Sequence, residues 1–177
     1  MTTRITLVLM CGLSFSGKST LARQLGRELG ATVLSLDSIN EERGLYSGQG
    51  IPVEEWVETN RLAEERCSEQ LQAHRNVIID DTGSPRFIRD QWRDVAARTH
   101  AEFALVWVQI DPELQRERLL ANRLAGRRHD VTDEVLVDHL AHFEPPADEG
   151  AITINARDVN DPHYVEAVVR AIRNGAR

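Results

Sequence analysis

Gly12-Leu13-Ser14-Phe15-Ser16-Gly17-Lys18-Ser19, followed by Thr20, is the stretch on which the reading of this chain turns. It fits the pattern G-x-x-x-x-G-K-[ST] at every fixed position. The flanks fit as well. Ile5 to Cys11 is a run of strand-formers, and Leu21, Leu25 and Leu29 then recur at helical spacing. In a strand, glycine loop, helix unit the loop N–H groups turn inward and, with the positive end of the helix, hold a polyphosphate. Gly12 and Gly17 supply backbone angles that a side chain would forbid. Lys18 is expected on the β- and γ-phosphates and the Ser19 hydroxyl on Mg²⁺. The plainer alternative is a tight turn before a helix. Against it stands the fact that Lys18 is the sole lysine among 21 basic residues. A chain that otherwise uses arginine places one compact ammonium where a planar fork fits poorly.

The expected nucleotide-binding residues are therefore Gly12, Leu13, Ser14, Phe15, Ser16, Gly17, Lys18, Ser19 and Thr20, with ATP and Mg²⁺ as ligands. No guanine-selecting motif is evident, which favours ATP over GTP.

A length of 177 residues predicts one domain over 1–177. A hydrophobic fraction of 41% and a charged fraction of 28% are those of a globular protein. No apolar run is long enough for a bilayer, and Met-Thr-Thr-Arg leads straight into a strand, so a cytoplasmic location without a membrane is expected. Cys11 and Cys67 read as two buried thiols in a reducing compartment. The net charge of −7 argues against a nucleic-acid partner without excluding a local basic patch.

After the loop, strand and helix alternate, which predicts an open parallel sheet with right-handed crossovers. The second strand is expected over 32–36, with Asp37 at its C-terminal end, where such sheets place ligands. Ser38-Ile39-Asn40-Glu41 reads as a capping box. A glycine-containing loop over 44–52 precedes a long polar helix over about 53–74, whose weak stripe is Trp56, Ala63, Cys67 and Leu71. A third strand over 76–80 ends in Asp80-Asp81-Thr82-Gly83. Further elements are expected as a helix from Pro85 to about Arg98, a strand over 102–110 and a helix capped by Asp111 with Pro112 in its first turn. A helix from Thr132 to about Phe143, stopped by Pro145-Pro146, precedes a strand over 151–155 and a terminal helix facing the core with Val165, Val168, Val169 and Ile172.

Four groups carry candidate chemistry, each beside a plainer role. Asp80 and Asp81 end a strand where a carboxylate can hold Mg²⁺, or they are turn residues. Asp37 is placed to act as general base on an acceptor hydroxyl, or it caps the segment at Ser38. Arg116, Arg123 and Arg127 share a helical face beside Gly126. This predicts a lid over about 114–132 that closes on phosphates, with Arg123 or Arg127 acting, or a solvated basic face. His139 and His142 are three apart but lack a third ligand of suitable spacing, and structural histidines are the simpler reading.

With these residues in view the chain resembles the small P-loop kinases of the polynucleotide-kinase-like, zeta-toxin-like and chloramphenicol-phosphotransferase-like group. The resemblance rests on Gly12 to Thr20, Leu34-Ser35-Leu36-Asp37, Val77 to Thr82, Val106-Trp107-Val108 with Asp111-Pro112, Arg116 to Arg128, and Phe143-Glu144-Pro145-Pro146. It implies an α/β three-layer P-loop NTPase fold of the nucleoside-monophosphate-kinase type, with a five-stranded parallel sheet, helices on both faces and an arginine-bearing lid. It also implies ATP- and Mg²⁺-dependent transfer of the γ-phosphate to a hydroxyl. Asp37 would be the base, Asp81 would work at the acceptor or metal, and lid arginines would stabilise the moving phosphate. Phe15 departs from the small residue common in that group. Asn40 stands where polynucleotide kinases carry an arginine, with Arg43 as a candidate replacement. The expected acceptor is a small molecule such as a nucleoside, a sugar or an antibiotic-like compound, chosen by residues 37–63. A polynucleotide 5′-hydroxyl kinase and an ATP-dependent switch that binds a protein partner are the alternatives.

Overall fold

The computed structural model describes residues 4–46 and 49–175. Five strands form one parallel sheet: β1 (Thr6–Cys11), β2 (Thr32–Ser35), β3 (Val77–Asp80), β4 (Glu102–Gln109) and β5 (Ile152–Asn155), in the spatial order β2-β3-β1-β4-β5. The helices among the described residues are α1 (Lys18–Leu29), α2 (Leu36–Glu42), α3 (Val53–Gln72), α4 (Arg86–Arg98), α5 (Pro112–Ala125), α6 (Asp133–His142) and α7 (Pro162–Arg173). β1 is central: the chain runs from it out to β2, back to β3 beside it, and then across to β4 and β5 on its other side. The chain therefore reverses direction across the sheet at the C-terminal end of β1, and that crevice is where an open α/β sheet takes its ligand.

Both sheet faces are covered, so the strands read as apolar runs rather than alternating ones. On one face Val8, Met10, Val106 and Val108 pack with Leu21 and Leu25 of α1 and with Val165, Val168, Val169 and Ile172 of α7. On the other, Leu7, Leu9, Leu105 and Cys11 pack with Leu36 and Ile39 of α2, Ala63, Cys67 and Leu71 of α3, and Trp92 and Val95 of α4. The weak stripe read for α3 is thus its buried face. Both cysteines are buried and unpaired, and burial pushes each thiol up to about 12. None of the described helices is long and apolar enough to cross a membrane.

Three expectations need correction. β2 stops at Ser35, and Ser35, not Ser38, caps α2, with its Oγ accepting from Ser38 N at 3.3 Å. Burial of Leu36 and Ile39 against the sheet starts the helix one turn early, which moves Asp37 into its first turn. α3 ends at Gln72 rather than His74, because His74 adopts a φ of 57° that ends the helical path. Gly126, at a φ of 59°, caps α5 at Ala125, so Arg127 lies outside the helix and shares no helical face with Arg116 and Arg123. The predicted 44–52 loop includes positions 47 and 48, which lie outside the described residues.

One buried ion pair has no local sequence signal. Arg89 of α4, 1% exposed, pairs with Glu149 at 2.6 Å and donates to the carbonyls of Gly83 at 2.8 Å and Glu144 at 2.9 Å. Arg93 also reaches Glu149, at 2.7 Å. Together they strap segment 143–149 onto α4, helped by Glu144 N on Ser84 Oγ and Arg86 N on Glu144 Oε2. Arg89→Ala is expected to cost roughly 3–5 kcal/mol in urea titration, since it leaves a buried carboxylate and two carbonyls without their donor. Hydrogen bonds from Arg89 hold the Glu149 carboxyl down at about 2, against an ordinary value of 4.5. The pair thus contributes fully above about pH 4.5, and its share of about 3 kcal/mol is lost as the pH falls from there through about 2. Acid titration of the wild type should show this loss, and Arg89→Ala should flatten it.

Candidate active site

The loop after β1 forms the cradle that its sequence implies. Gly12 has a φ of 147°, its N–H donates to Thr82 O at 3.0 Å, and a Cβ there would lie 2.5 Å from Val108 O. Only glycine lets the loop leave the sheet so closely. Gly17, at a φ of 99°, turns the chain into α1. That helix starts at Lys18 with no side-chain cap and no acid in its first turn, so its positive end is open to an anion. Lys18 Nζ folds back onto Leu13 O at 3.0 Å.

The loop is held from outside by α5. Gln115 Nε2 donates to Ser14 O at 3.0 Å. Arg118 donates to Phe15 O at 2.9 Å, to Ser16 O at 3.1 Å and, with its other nitrogen, to Ala156 O at 2.8 Å. Sequence reasoning grouped Arg118 with the lid cations. Its work is to fix the loop's outer carbonyls so that the N–H groups face inward. A basic side chain one helical turn after the buried Leu114 was the only available hint.

The candidate acids and cation gather at the C-terminal ends of β1, β2 and β3. Asp80 is buried, and its side chain is hydrogen-bonded to Ser19. Burial pushes its carboxyl up, and Lys18 opposes this. Asp81 is half-buried, and its Oδ2 accepts from Gly83 N at 3.3 Å. Burial raises it to about 6 against those backbone hydrogen bonds, with the nearby Asp37 charge adding to the rise. Burial pulls Lys18 down, and Asp80, Asp81 and Asp37 pull it back. These mutual effects place Lys18, Asp37, Asp80 and Asp81 in one electrostatic cluster. Asp37 stands at its solvent side, exposed in the first turn of α2.

Asn40 and Arg43 face elsewhere. Asn40 is fully buried and accepts from Thr59 Oγ1 at 2.5 Å. Arg43 donates to Thr59 Oγ1 and to Glu55 O, each at 2.7 Å, and is ion-paired with the Glu55 carboxylate. This network joins α2 to α3, so Arg43 supports the wall carrying Asp37.

The lid divides its arginines among different tasks. Arg123 pairs with Asp130 at 2.9 Å and Asp133 at 2.6 Å and donates to Val131 O at 3.0 Å, tying the end of α5 to the start of α6. Arg127 is exposed, with no ion pair among the described residues, and Arg116 is exposed on α5. Arg128 lies over the Phe15 ring, 4.5 Å from its centroid, and the His129 ring stands 4.3 Å from that of Tyr46. Segment 126–131 is therefore latched to the phosphate loop on one side and to the α2–α3 loop on the other. Phe15, at a φ of 65°, is the unusual loop residue that provides one of the two latch points. Among the described residues no group of three or more His, Cys, Asp and Glu side chains could hold a metal by itself.

A family model described as an AAA domain matches residues 7–146. The chain belongs to this AAA-domain family. Its fold is also similar to that of several solved structures. A Kti12 from Chaetomium thermophilum, in complex with ADP-AlF3, has a TM-score of 0.75 at 21% identity, covering 97% of this chain and 99% of that one. A gluconokinase from Sinorhizobium meliloti has a TM-score of 0.67 at 18% identity, covering 98% and 96%. The Mycobacterium tuberculosis APS kinase CysC, in complex with AMPPNP and APS, has a TM-score of 0.66 at 20% identity, covering 96% of each chain. The fold is thus shared with solved structures that include a gluconokinase and an APS kinase.

Proposed function

We propose that this protein is an ATP- and Mg²⁺-dependent phosphotransferase acting on a hydroxyl of a small molecule. One observation carries the reading. An exposed carboxylate, Asp37, faces the same cluster as the phosphate-loop lysine and the strand-end acids. A nucleotide-binding loop alone does not require such a group, whereas an acceptor hydroxyl does. The acceptor oxygen would attack the γ-phosphorus, forming one P–O bond as the bond to the ADP oxygen breaks. Its proton would pass to Asp37. There is little covalent chemistry for the protein to do, so the catalysis lies in positioning and charge.

The residues present fit the groups this reaction needs. The Ser16 hydroxyl is buried without a partner among the described residues, and a phosphate oxygen in the loop would give it one. Ser19, Asp80 and Asp81 offer hydroxyl and carboxylate oxygens, a hard donor set that suits Mg²⁺ bound jointly with nucleotide phosphates. The ion would draw charge from the transferring phosphate, and Asp80, hydrogen-bonded to Ser19, would hold that hydroxyl in place. Arg127 is the lid cation left to meet the phosphate, while Arg123 shapes the lid. Arg127→Ala is expected to lower turnover at least about tenfold with little change in ATP affinity, because such charges act mostly on the transition state. Arg123→Ala should raise KM as well, through a loosened lid. Unchanged kinetics in both variants would return these arginines to the solvated surface.

A screen of hydroxylated small molecules with γ-labelled ATP tests the reading, with label expected in a small-molecule product. If label passes instead to oligonucleotide 5′ ends, the acceptor is a polynucleotide. If only slow hydrolysis is seen with every acceptor, the protein is a nucleotide-dependent switch.

A further inference from the structure

α6 brings two features to the acceptor side of the cleft, on the sheet face that also carries Asp37. His139 lies within electrostatic range of Lys18 and Asp37, and its Nδ1 is buried with no hydrogen-bond partner among the described residues. One helical turn on, Phe143 leaves the helix in extended backbone and is fixed by the Glu144 contacts to Ser84 and Arg86. There it lines a half-open cavity of about 120 Å³, together with Leu13, Trp107, Val108, Gln109 and Ile110. The cavity opens beside the phosphate loop, because Leu13 is both part of that loop and a wall. Arg118 and Ala156 lie against the loop's outer carbonyls, away from it.

The walls are mostly apolar, and the space is small. A cavity of about 150 Å³ lined by such side chains holds one benzene ring. About 120 Å³ therefore admits a single compact ring or a branched aliphatic group. A base joined to a ribose would have to leave its sugar outside the slot. A polyol would have to shed water from several hydroxyls against Leu13, Trp107 and Phe143 with few partners in return. Phe143 follows His139 by one helical turn, so an apolar slot and an imidazole nitrogen without a partner among the described residues are set by the same end of α6, which suits a molecule with one apolar end and one polar end.

Building on the phosphotransferase reading above, we propose that the acceptor is an alcohol carried on one compact apolar body. That body enters the Leu13–Trp107–Phe143 pocket, while its hydroxyl arm lies toward Asp37 and its polar edge toward His139. Acceptor choice then rests largely on β4 and the end of α6, and not on residues 37–63 alone.

The test separates binding from transfer. The full-length protein, saturated with Mg·ADP, is titrated with 4-fluorobenzyl alcohol and followed by fluorine NMR. Expected are a broadened, shifted resonance, competition by unlabelled benzyl alcohol, and no competition by glucose at equal concentration. Phe143→Trp fills the slot and should weaken probe binding by roughly tenfold or more, with Mg·ADP affinity by calorimetry unchanged within about twofold. Should that variant not fold, Phe143→Ala serves instead. It enlarges the slot and should shift the preference from benzyl alcohol toward 2-naphthylmethanol. Equal competition by glucose, or a probe signal indifferent to both substitutions, overturns the pocket. Probe binding as expected with no label transferred to any alcohol supports the pocket and sinks the phosphotransferase reading. Label passing to polyols as readily as to benzyl alcohol does the reverse.

Discussion

Lys18→Ala should abolish phosphoryl transfer while the protein stays folded. The two halves of this expectation have separate physical grounds. Lys18 supplies the one ammonium at the mouth of a loop whose other donors are backbone N–H groups. Removing a single preorganised donor from a transition state typically costs about 10²–10³-fold, and this one carries a full charge. Stability is a different matter, because burial disfavours the charge on Lys18. Burial pulls its pKa down, and its nitrogen is satisfied by one carbonyl, Leu13 O at 3.0 Å. Deleting a half-buried charge of this kind removes a desolvation cost along with the contact. Asp80 and Asp81, already pushed up by burial, then lose a compensating cation and shift further toward their neutral forms. The midpoint in urea should therefore move little. Lys18→Arg should fail nearly as badly. A Cβ at Gly12 would lie 3.5 Å from Lys18 Cδ, so the stem runs along the loop wall, and a planar fork at its end would present its donors in a different geometry from a compact ammonium. Near wild-type turnover in Lys18→Arg would mean that the ammonium does not sit on the phosphates.

The contrast between loop and lid shows what the sequence could and could not carry. The phosphate loop was legible because its physics is local: glycine where a Cβ collides with Val108 O, then a helix start with no cap. The alternation of strand-formers and helical periodicity likewise gave the parallel sheet and most element ends within two residues. The order β2-β3-β1-β4-β5 was not legible in the sequence, since pairing partners lie up to about a hundred positions apart and leave no periodic trace. The start of α2 was misread by one turn because two serines compete to cap it. Burial of Leu36, a tertiary effect, chose Ser35. Arg127 looked aligned with Arg123 until Gly126 broke the helix between them. The Arg89–Glu149 pair and the Arg118 grip on Phe15 O and Ser16 O join residues 60 and about 100 positions apart. Each is an ordinary arginine in the sequence, and only burial distinguishes it. The apolar slot beside Leu13 was hidden for the same reason. Nothing in the sequence joins Phe143 to Trp107, and they share a cavity where the strap 143–149 is pinned to α4.

Asp37→Asn should lower transfer by about 10²–10⁴-fold, the usual worth of a general base, while Mg·ATP binding stays near the wild-type value. The substitution is close to isosteric, so the first turn of α2 keeps its shape. The cap is unaffected as well, because Ser35 and not Asp37 accepts the hydrogen bond from Ser38 N. The buried anchors of the helix, Leu36, Ile39 and Asn40, are untouched. What changes is the ability to take a proton, together with one negative charge facing Lys18 and Asp81. Loss of that charge should lower the raised Asp81 pKa, because Asp37 is one of the groups holding it up. The pH profile of the residual activity therefore carries a second signature. Its acidic limb should move to lower pH in Asp37→Asn, which a purely structural defect would not produce. A base role predicts a fall in kcat with calorimetric Mg·ATP affinity held and the acidic limb displaced. Full-rate transfer would leave the proton to Asp80 or Asp81. Basal ATP hydrolysis indifferent to the substitution, with no acceptor ever labelled, would favour the switch over the kinase.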